Sequence, residues 1–453
     1  MDISDELRHV HWGELIRRAR ESGPQFIVRY LQMLRRHRYP QERVRRYQER
    51  RLEKIVLHAQ ARVPAYRSVS AQASSFRRMG GLQALAQFPL LDRQTLLDNW
   101  ERYQADNARC YSPRLVQTGG TTGKPVRLYL AGRTRALWNM MSLLRYQWAG
   151  WRAGDRTVIF GTSYGDRVGT IPAEVAYRVD EARRHLFLNG ARVTTEQVVS
   201  FARMTSEFHP QFIRGYPSLL VLLAREVHAL GLRVRPRAVL TGAELLGEAQ
   251  RDYLTQTFGC PVFDWYNMWE NVATAIQCER GTYHCIPELS YVEIVRNGRP
   301  AQPGEVGEIV GTHLENYGMP LIRYNMNDLA SPIGSPCECG RNLLSINFIG
   351  GKGRDLIVTP RGFAVLSARQ VTAKLDPPVR IEKLQFYQER KEEVLIRIVR
   401  GAGHNEDDTR RLIAQIDRML EGAVVLRSEY VDDIPRTPSG KFPYIVCKVP
   451  LEL

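Results

Sequence analysis

Two apolar runs, Arg156-Thr-Val-Ile-Phe-Gly161 and Arg237-Ala-Val-Leu-Thr-Gly242, each close on a glycine and alternate with helical patterns such as Ser218 to Leu230. That alternation predicts a layered α/β domain, with strands covered by helices. Ligand groups in such domains collect beyond the carboxyl ends of the strands, so the turns at Gly161 and Gly242 are candidate site positions.

At 453 residues the chain exceeds one ordinary core, and a large N-terminal domain followed by a smaller one is expected. Residues 1–70 predict helices, because Ile27, Tyr30, Leu31 and Leu34, then Leu52, Ile55, Val56 and Ala59, recur at helical spacing until Pro64 breaks the pattern. From Ser290 to Gly311 the pattern turns to short alternating strands around Pro303-Gly304. The last hundred residues mix strands with one amphipathic helix near Asp407 to Leu420, an α+β arrangement. Gly350-Gly351-Lys352-Gly353-Arg354-Asp355 is the glycine-rich break before them and reads as a hinge.

An apolar content of 43% and a charged content of 25% are those of a soluble globular protein. No apolar run reaches membrane-spanning length, and the start Met1-Asp2-Ile3-Ser4-Asp5-Glu6 has no basic-then-apolar signal, so the expected location is cytoplasmic. The net charge of +16 raises the question of nucleic acid, but residues 1–70 hold 16 Lys/Arg against 8 Asp/Glu, about half the excess in one helical stretch. A solvated basic helix face accounts for that, with a polyanion or membrane surface as the alternative partner and no specific nucleic acid expected.

The segment Thr118-Gly-Gly-Thr-Thr-Gly-Lys-Pro125 offers backbone N–H groups, hydroxyls and one cation, a set suited to phosphate oxygens. It is not a Walker loop, because Thr118 stands where that motif needs glycine and Pro125 where it needs Ser or Thr. Seven cysteines, an odd number with a close Cys337-Glu-Cys339 pair, do not form a secreted disulfide framework. Cys278, His284, Cys337 and Cys339 supply three thiols and an imidazole, the inventory of a closed tetrahedral zinc site, with Cys285 a competing ligand and idle buried thiols the alternative. Cys110, Cys260 and Cys447 are expected in the core.

Taken in order, Thr118 to Pro125, Thr241-Gly-Ala-Glu244, Asp264-Trp-Tyr-Asn-Met-Trp-Glu270, Pro320-Leu-Ile-Arg-Tyr-Asn-Met-Asn-Asp328 and Arg436-Thr-Pro-Ser-Gly-Lys441 resemble the adenylate-forming superfamily. The short length, Ile213-Arg-Gly-Tyr-Pro-Ser218 and the ending Ser439-Gly-Lys-Phe are similar to its phenylacetate–CoA ligase branch, in particular to CapK-like members. The resemblance implies a large layered α/β domain over 1–353 that binds ATP and the acid, and a small mobile α+β domain over 354–453 that carries the catalytic lysine.

Its implied reaction is attack of a carboxylate on the α-phosphate of ATP, giving acyl-AMP and pyrophosphate, then transfer of the acyl group to a nucleophile. Two anions must meet, so cations and positioning matter more than a protein nucleophile. By the resemblance, Lys441 neutralises the charge between them and Glu270 holds Mg²⁺ against the phosphates. Thr118, Gly119, Gly120, Thr121, Thr122, Gly123 and Lys124 contact phosphates, and Gly242, Ala243 and Glu244 border the adenine chiefly through backbone. Tyr266 stacks on adenine, and Asp328 accepts from both ribose hydroxyls. Trp269 replaces the usual hydroxyl residue before the glutamate and, with Tyr164, borders the acyl pocket. Asn325-Met326-Asn327 replaces a common Arg-Thr-Gly. Some members of this branch carry a zinc on cysteines and histidine.

The expected activity is thus an acid–thiol ligase, with CoA the expected co-substrate and an aromatic or other hydrophobic carboxylic acid the substrate. Transfer to a carrier-protein thiol or an amine is the alternative, and a silent nucleotide- or polyanion-binding protein is the competitor from another class. Intact Lys124, Glu270, Asp328 and Lys441 argue against silence.

Overall fold

A computed structural model describes residues 12–23, 25–67, 85–117, 126–152, 154–161, 175–190, 193–351, 356–365, 379–436 and 442–449. The chain forms two compact units, each discontinuous in sequence: 1–155 with 263–348, and 156–262 with 349–453. The expected division at 353/354 falls just beyond a strand that ends at Gly351, in a stretch outside the described residues. Gly350 and Gly351 therefore belong to that strand, and the rest of the proposed hinge is not described.

The first unit begins with helices Trp12–Ser22, Gln25–Arg36 and Gln41–Arg62. The third buries Leu52, Ile55, Val56 and Ala59, the stripe its spacing predicts, and ends at Arg62 ahead of Pro64. The basic faces of the second and third helices are more than solvated. Arg36 reaches the buried Glu288 and Arg51 the buried Glu315, so part of the excess charge is spent on long-range ion pairs.

Helix Gly132–Trp148 follows a hairpin, Arg114–Gln117 with Arg127–Leu130, whose register pairs Gln117 with Arg127 across the glycine-rich segment. The main sheet has eight strands in the order Arg299–Pro300, Ser290–Arg296, Gly307–His313, Tyr324–Pro332, Ser345–Gly351, Tyr283–Cys285, Thr274–Gln277 and Trp265–Asn267. One face of this sheet packs on Leu52, Ile55, Val56, Leu128 and Leu130, and burying each such side chain contributes about 1.5–3 kcal/mol. Cys110, expected in the core, is exposed, because the short turn Ala108–Tyr111 that carries it buries no side chain.

The second unit holds the layered α/β part. Thr157–Gly161 pairs in parallel with His185–Asn189 and Phe212–Gly215, and the latter with Ala238–Thr241; Tyr177–Asp180 adds an antiparallel edge. Helices Thr195–Phe208, Pro217–Ala229 and Glu248–Phe258 connect these strands. Thr194 and Gln197 cap the first reciprocally, and Pro217 opens the second, where a missing N–H costs nothing. The alternation of strand and helix appears as the sequence predicts.

Residues from 379 onward build a four-stranded sheet in the order Val425–Tyr430, Glu393–Arg400, Ile381–Arg390 and Ile445–Cys447. Helix Glu406–Met419 covers it, placing Leu412 and Ile416 against Phe386, Ile396 and Ile398. The fold class is α/β with a smaller α+β C-terminal part. No helix among the described residues is long and apolar enough to cross a membrane.

Candidate active site and a cysteine–histidine cluster

Strand Trp265–Asn267 lies at one edge of the eight-stranded sheet, and its Tyr266 reaches Asp328 on strand Tyr324–Pro332. The Tyr266 phenol donates to Asp328 Oδ2 at 2.8 Å, with both side chains buried. A carboxylate offers two acceptor oxygens, and this bond engages Oδ2 of Asp328. Phe348 lies 4.5 Å from the Tyr266 ring, centroid to centroid and tilted by 34°. Sequence reading did not find Phe348, which reaches this place only through sheet register.

Glu270, at 9% exposure, is buried rather than a surface charge. Its backbone is pinned by His313: the Leu321 N–H donates to Nδ1 at 3.0 Å, so Nε2 carries the proton and donates to the Glu270 carbonyl oxygen at 2.7 Å. Complete burial pushes the His313 pKa down to about 4, which keeps the ring neutral and this tautomer in place. Gly311 is required beside it, because a Cβ there would lie 2.0 Å from the Val272 carbonyl oxygen. The adjoining turn takes a left-handed residue at Asn271, φ 57°. The Tyr324 phenol is raised well above its ordinary value, first by burial and then by the Glu270 charge, so it stays a protonated donor.

Trp269 is 40% exposed and stacks on Trp138 at 5.8 Å and 13°; Trp138 also contacts Trp265 at 4.9 Å. Trp138, on helix Gly132–Trp148, was not singled out in the sequence, where it reads as one apolar residue of a helix. Arg323 takes a left-handed φ of 50° and uses its guanidinium structurally, pairing with Glu293 at 3.1 Å and donating to the carbonyl oxygens of Ala86 and Phe88.

In the second unit the turn Gly242-Ala243-Glu244 follows strand Ala238–Thr241, with Ala243 at φ 68°. The sequence reading gave the weight here to backbone, yet the Glu244 side chain is fully engaged: it accepts from Ser218 N at 3.0 Å, Ser218 Oγ at 3.1 Å and Phe442 N at 3.1 Å. Thr118, Gly119, Gly120, Thr121, Thr122, Gly123, Lys124, Tyr164 and Lys441 lie outside the described residues.

Cys278, His284, Cys337 and Cys339 come together, with one ligand atom from each and all four atoms within 4.8 Å of one another. Cys278 Sγ and Cys337 Sγ are 3.8 Å apart, matching the edge of about 3.8 Å that a tetrahedron with Zn–S bonds near 2.3 Å requires. His284 presents Nε2 to Cys339 Sγ at 3.2 Å, while Nδ1 is held by Ser345 Oγ at 3.2 Å, the outer contact that fixes a ligand ring. Cys339 is held below the usual thiol range by the Cys278 hydrogen bond and by His284. The same hydrogen bond, with burial, pushes Cys278 up. Cys285, the competing ligand, is next to His284 on one strand and so points to the other face, into the core.

Residues 357–448 match the CapK C-terminal domain model. The chain is 25% identical over 335 residues to the phenylacetate-coenzyme A ligase of Thermus thermophilus, covering 70% of this chain and 72% of that one. It is 25% identical over 330 residues to the enzyme of the same name from Pseudomonas putida, with the same coverage. The chain is thus similar to phenylacetate–CoA ligases over 70% of its length and to the CapK C-terminal domain at its end. A solved structure of 2-hydroxyisobutyryl-CoA ligase in complex with 2-HIB-AMP shares the fold at a TM-score of 0.69 and 18% identity, covering 91% of each chain.

Proposed function

We propose that this protein activates a carboxylic acid with ATP, forming an acyl-adenylate, and transfers the acyl group to the thiol of CoA. The bond between Tyr266 and Asp328 carries the reading. These residues, which the resemblance assigns to adenine and to ribose, are 62 positions apart and meet side by side. Both relatives above are named for CoA thioester formation with an arylacetate, which favours an aromatic or hydrophobic acid. The Trp138, Trp265 and Trp269 cluster beside Glu270 suits such an acyl group.

In this reading the acid's carboxylate oxygen attacks the α-phosphorus and pyrophosphate leaves. Asp328 orients the ribose, Tyr266 presents its ring to the base, and Thr118 to Lys124 gather the phosphates. Lys441 offsets the charge between the two anions, and residues 354–453 move to admit the thiol for the second step. A divalent cation on Glu270 would supply further neutralisation of the phosphates; a buried carboxylate on a rigid backbone is a suitable oxygen ligand. The sulfur–sulfur spacing and the Ser345-held imidazole fit a structural zinc, which four protein ligands would close to chemistry.

The test is pyrophosphate release in a panel of arylacetic, benzoic, aliphatic and hydroxy acids, with and without CoA. The reading predicts acid-dependent release and an acyl-CoA product. Release whose acyl product forms only with an amine or a carrier-protein thiol would replace CoA as acceptor, and no release with any acid would end the reading.

A further inference from the structure

We infer that Glu244, Ser218 and Arg436 are positioning residues that seat the Lys441 segment for the adenylation step; this rests on the function proposed above. Glu244 Oε2 accepts from the Ser218 N–H at 3.0 Å, and Oε1 accepts from Ser218 Oγ at 3.1 Å and from the Phe442 N–H at 3.1 Å. The Arg436 guanidinium donates to Ser218 Oγ at 3.0 Å. The serine hydroxyl thus gives its one proton to Glu244 and receives one from Arg436, and every bond has a consistent direction.

Arg436 and Phe442 bracket residues 437–441. Both ends of the segment that holds Lys441 are therefore tied to one carboxylate–hydroxyl pair, in contacts that span 218 and 198 positions of sequence. In general, closing a short segment at both ends reduces the freedom of what lies between, and presenting a single cation to a reacting centre requires such a restriction.

The seat itself is rigid. Ser218 lies in the first turn of helix Pro217–Ala229, whose positive end favours the Glu244 carboxylate. That helix springs from Gly215, where a Cβ would lie 2.4 Å from the Phe160 carbonyl oxygen, so strand and helix meet at a fixed corner. Glu244 follows Ala243 in a left-handed conformation, a cost of the kind found where a turn aims a functional side chain. The Gly242-Ala243-Glu244 turn is also the segment the family assigns to adenine, so one turn serves the base and the catalytic loop.

The seat meets the flanks of this segment through hydrogen bonds from the Phe442 N–H and Arg436 Nη1, with the Arg436 guanidinium over the Phe442 ring at 5.9 Å. In the proposed cycle these hydrogen bonds form for adenylation and open for thioester formation.

The experiment measures the half-reactions separately in Arg436→Ala, Arg436→Lys and Ser218→Ala: pyrophosphate release with acid and ATP, and thioester formation from synthetic acyl-AMP and CoA. Losing a hydrogen bond to a charged group costs about ten- to a hundred-fold, so Arg436→Ala and Ser218→Ala should slow adenylation by that factor. Thioester formation and the melting temperature should stay near those of the wild type, and Arg436→Lys should recover most of the adenylation rate. If both half-reactions fall together, or neither falls while the wild type is active, the seat is wrong. If the wild type forms no adenylate with any acid, the functional reading fails, and the inference with it.

Discussion

In the unit formed by 1–155 and 263–348, Glu270 is pinned by a buried neutral imidazole and by a strand approach that only glycine permits, and Asp328 is held by a phenol. In the unit formed by 156–262 and 349–453, Glu244 ties the flanks of the Lys441 segment through a few hydrogen bonds to partly buried groups. The first set lies within a packed core, whereas the second is made of hydrogen bonds among partly buried groups. On the proposed function, groups that hold the nucleotide through both half-reactions would be built the first way, and groups needed in one half-reaction the second way. The cysteine–histidine cluster is an extreme of the first kind, with four ligand atoms already at metal-binding spacing.

The sharpest break of this comparison is Lys441→Ala. Removing one preorganised charge typically costs about 10²–10³ in rate, so adenylation should fall by that factor while ATP affinity, measured by equilibrium binding, changes little. A matching fall in ATP affinity would place Lys441 among the permanent nucleotide contacts.

Next in size is Cys337→Ser. The wild type should copurify with about one zinc per chain, and the variant should lose both the metal and thermal stability, since binding energy at such a site is folding energy. A loss of a few kcal/mol corresponds to a drop on the order of 10 °C. Metal analysis and calorimetry on the same samples decide it, and metal-free wild type with unchanged melting in the variant would remove the site.

His313 supplies a pH test. Its folded-state pKa is depressed to about 4, against an ordinary value near 6.5, so the unfolded chain binds the extra proton first as pH falls. Stability from this group is complete above about pH 6.5 and is lost progressively down to about pH 4, by roughly 3 kcal/mol in total. His313→Gln, which can keep both hydrogen bonds without titrating, should flatten that part of a denaturant-unfolding profile. An unchanged profile would mean that other groups set the acid limit.

The smallest effect is expected for Tyr266→Phe. It keeps the ring against Phe348 and removes only the bond to Asp328, so KM for ATP should rise about two- to ten-fold with kcat little altered. A larger loss, concentrated in kcat, would give the phenol a role in the chemistry.

Much of the fold was legible because its signals are local. Helical spacing marked Leu52, Ile55, Val56 and Ala59, and the apolar runs at 157–161 and 238–241 are strands. The motifs pointed to Tyr266 and Asp328 before any geometry did. What sequence withheld depends on pairing between distant segments. Phe348 meets Tyr266 through sheet order, Trp138 meets Trp269 across a helix packing, and Glu288 and Glu315 collect arginines from helices far upstream. The Glu244 side chain was underrated for the same reason, since its partners at 218 and 442 are invisible until the chain is folded.

The central claim, that a carboxylate attacks the α-phosphorus of ATP, is tested most directly by isotope transfer. An acid substrate labelled with ¹⁸O at both carboxyl oxygens is converted to its thioester in unlabelled water, and the phosphorus products are analysed by mass spectrometry. Acyl-adenylate chemistry leaves the attacking oxygen on phosphorus, so one ¹⁸O should appear in AMP and none in pyrophosphate or inorganic phosphate. Label in inorganic phosphate with ADP as the other product, or unlabelled AMP, would contradict the account.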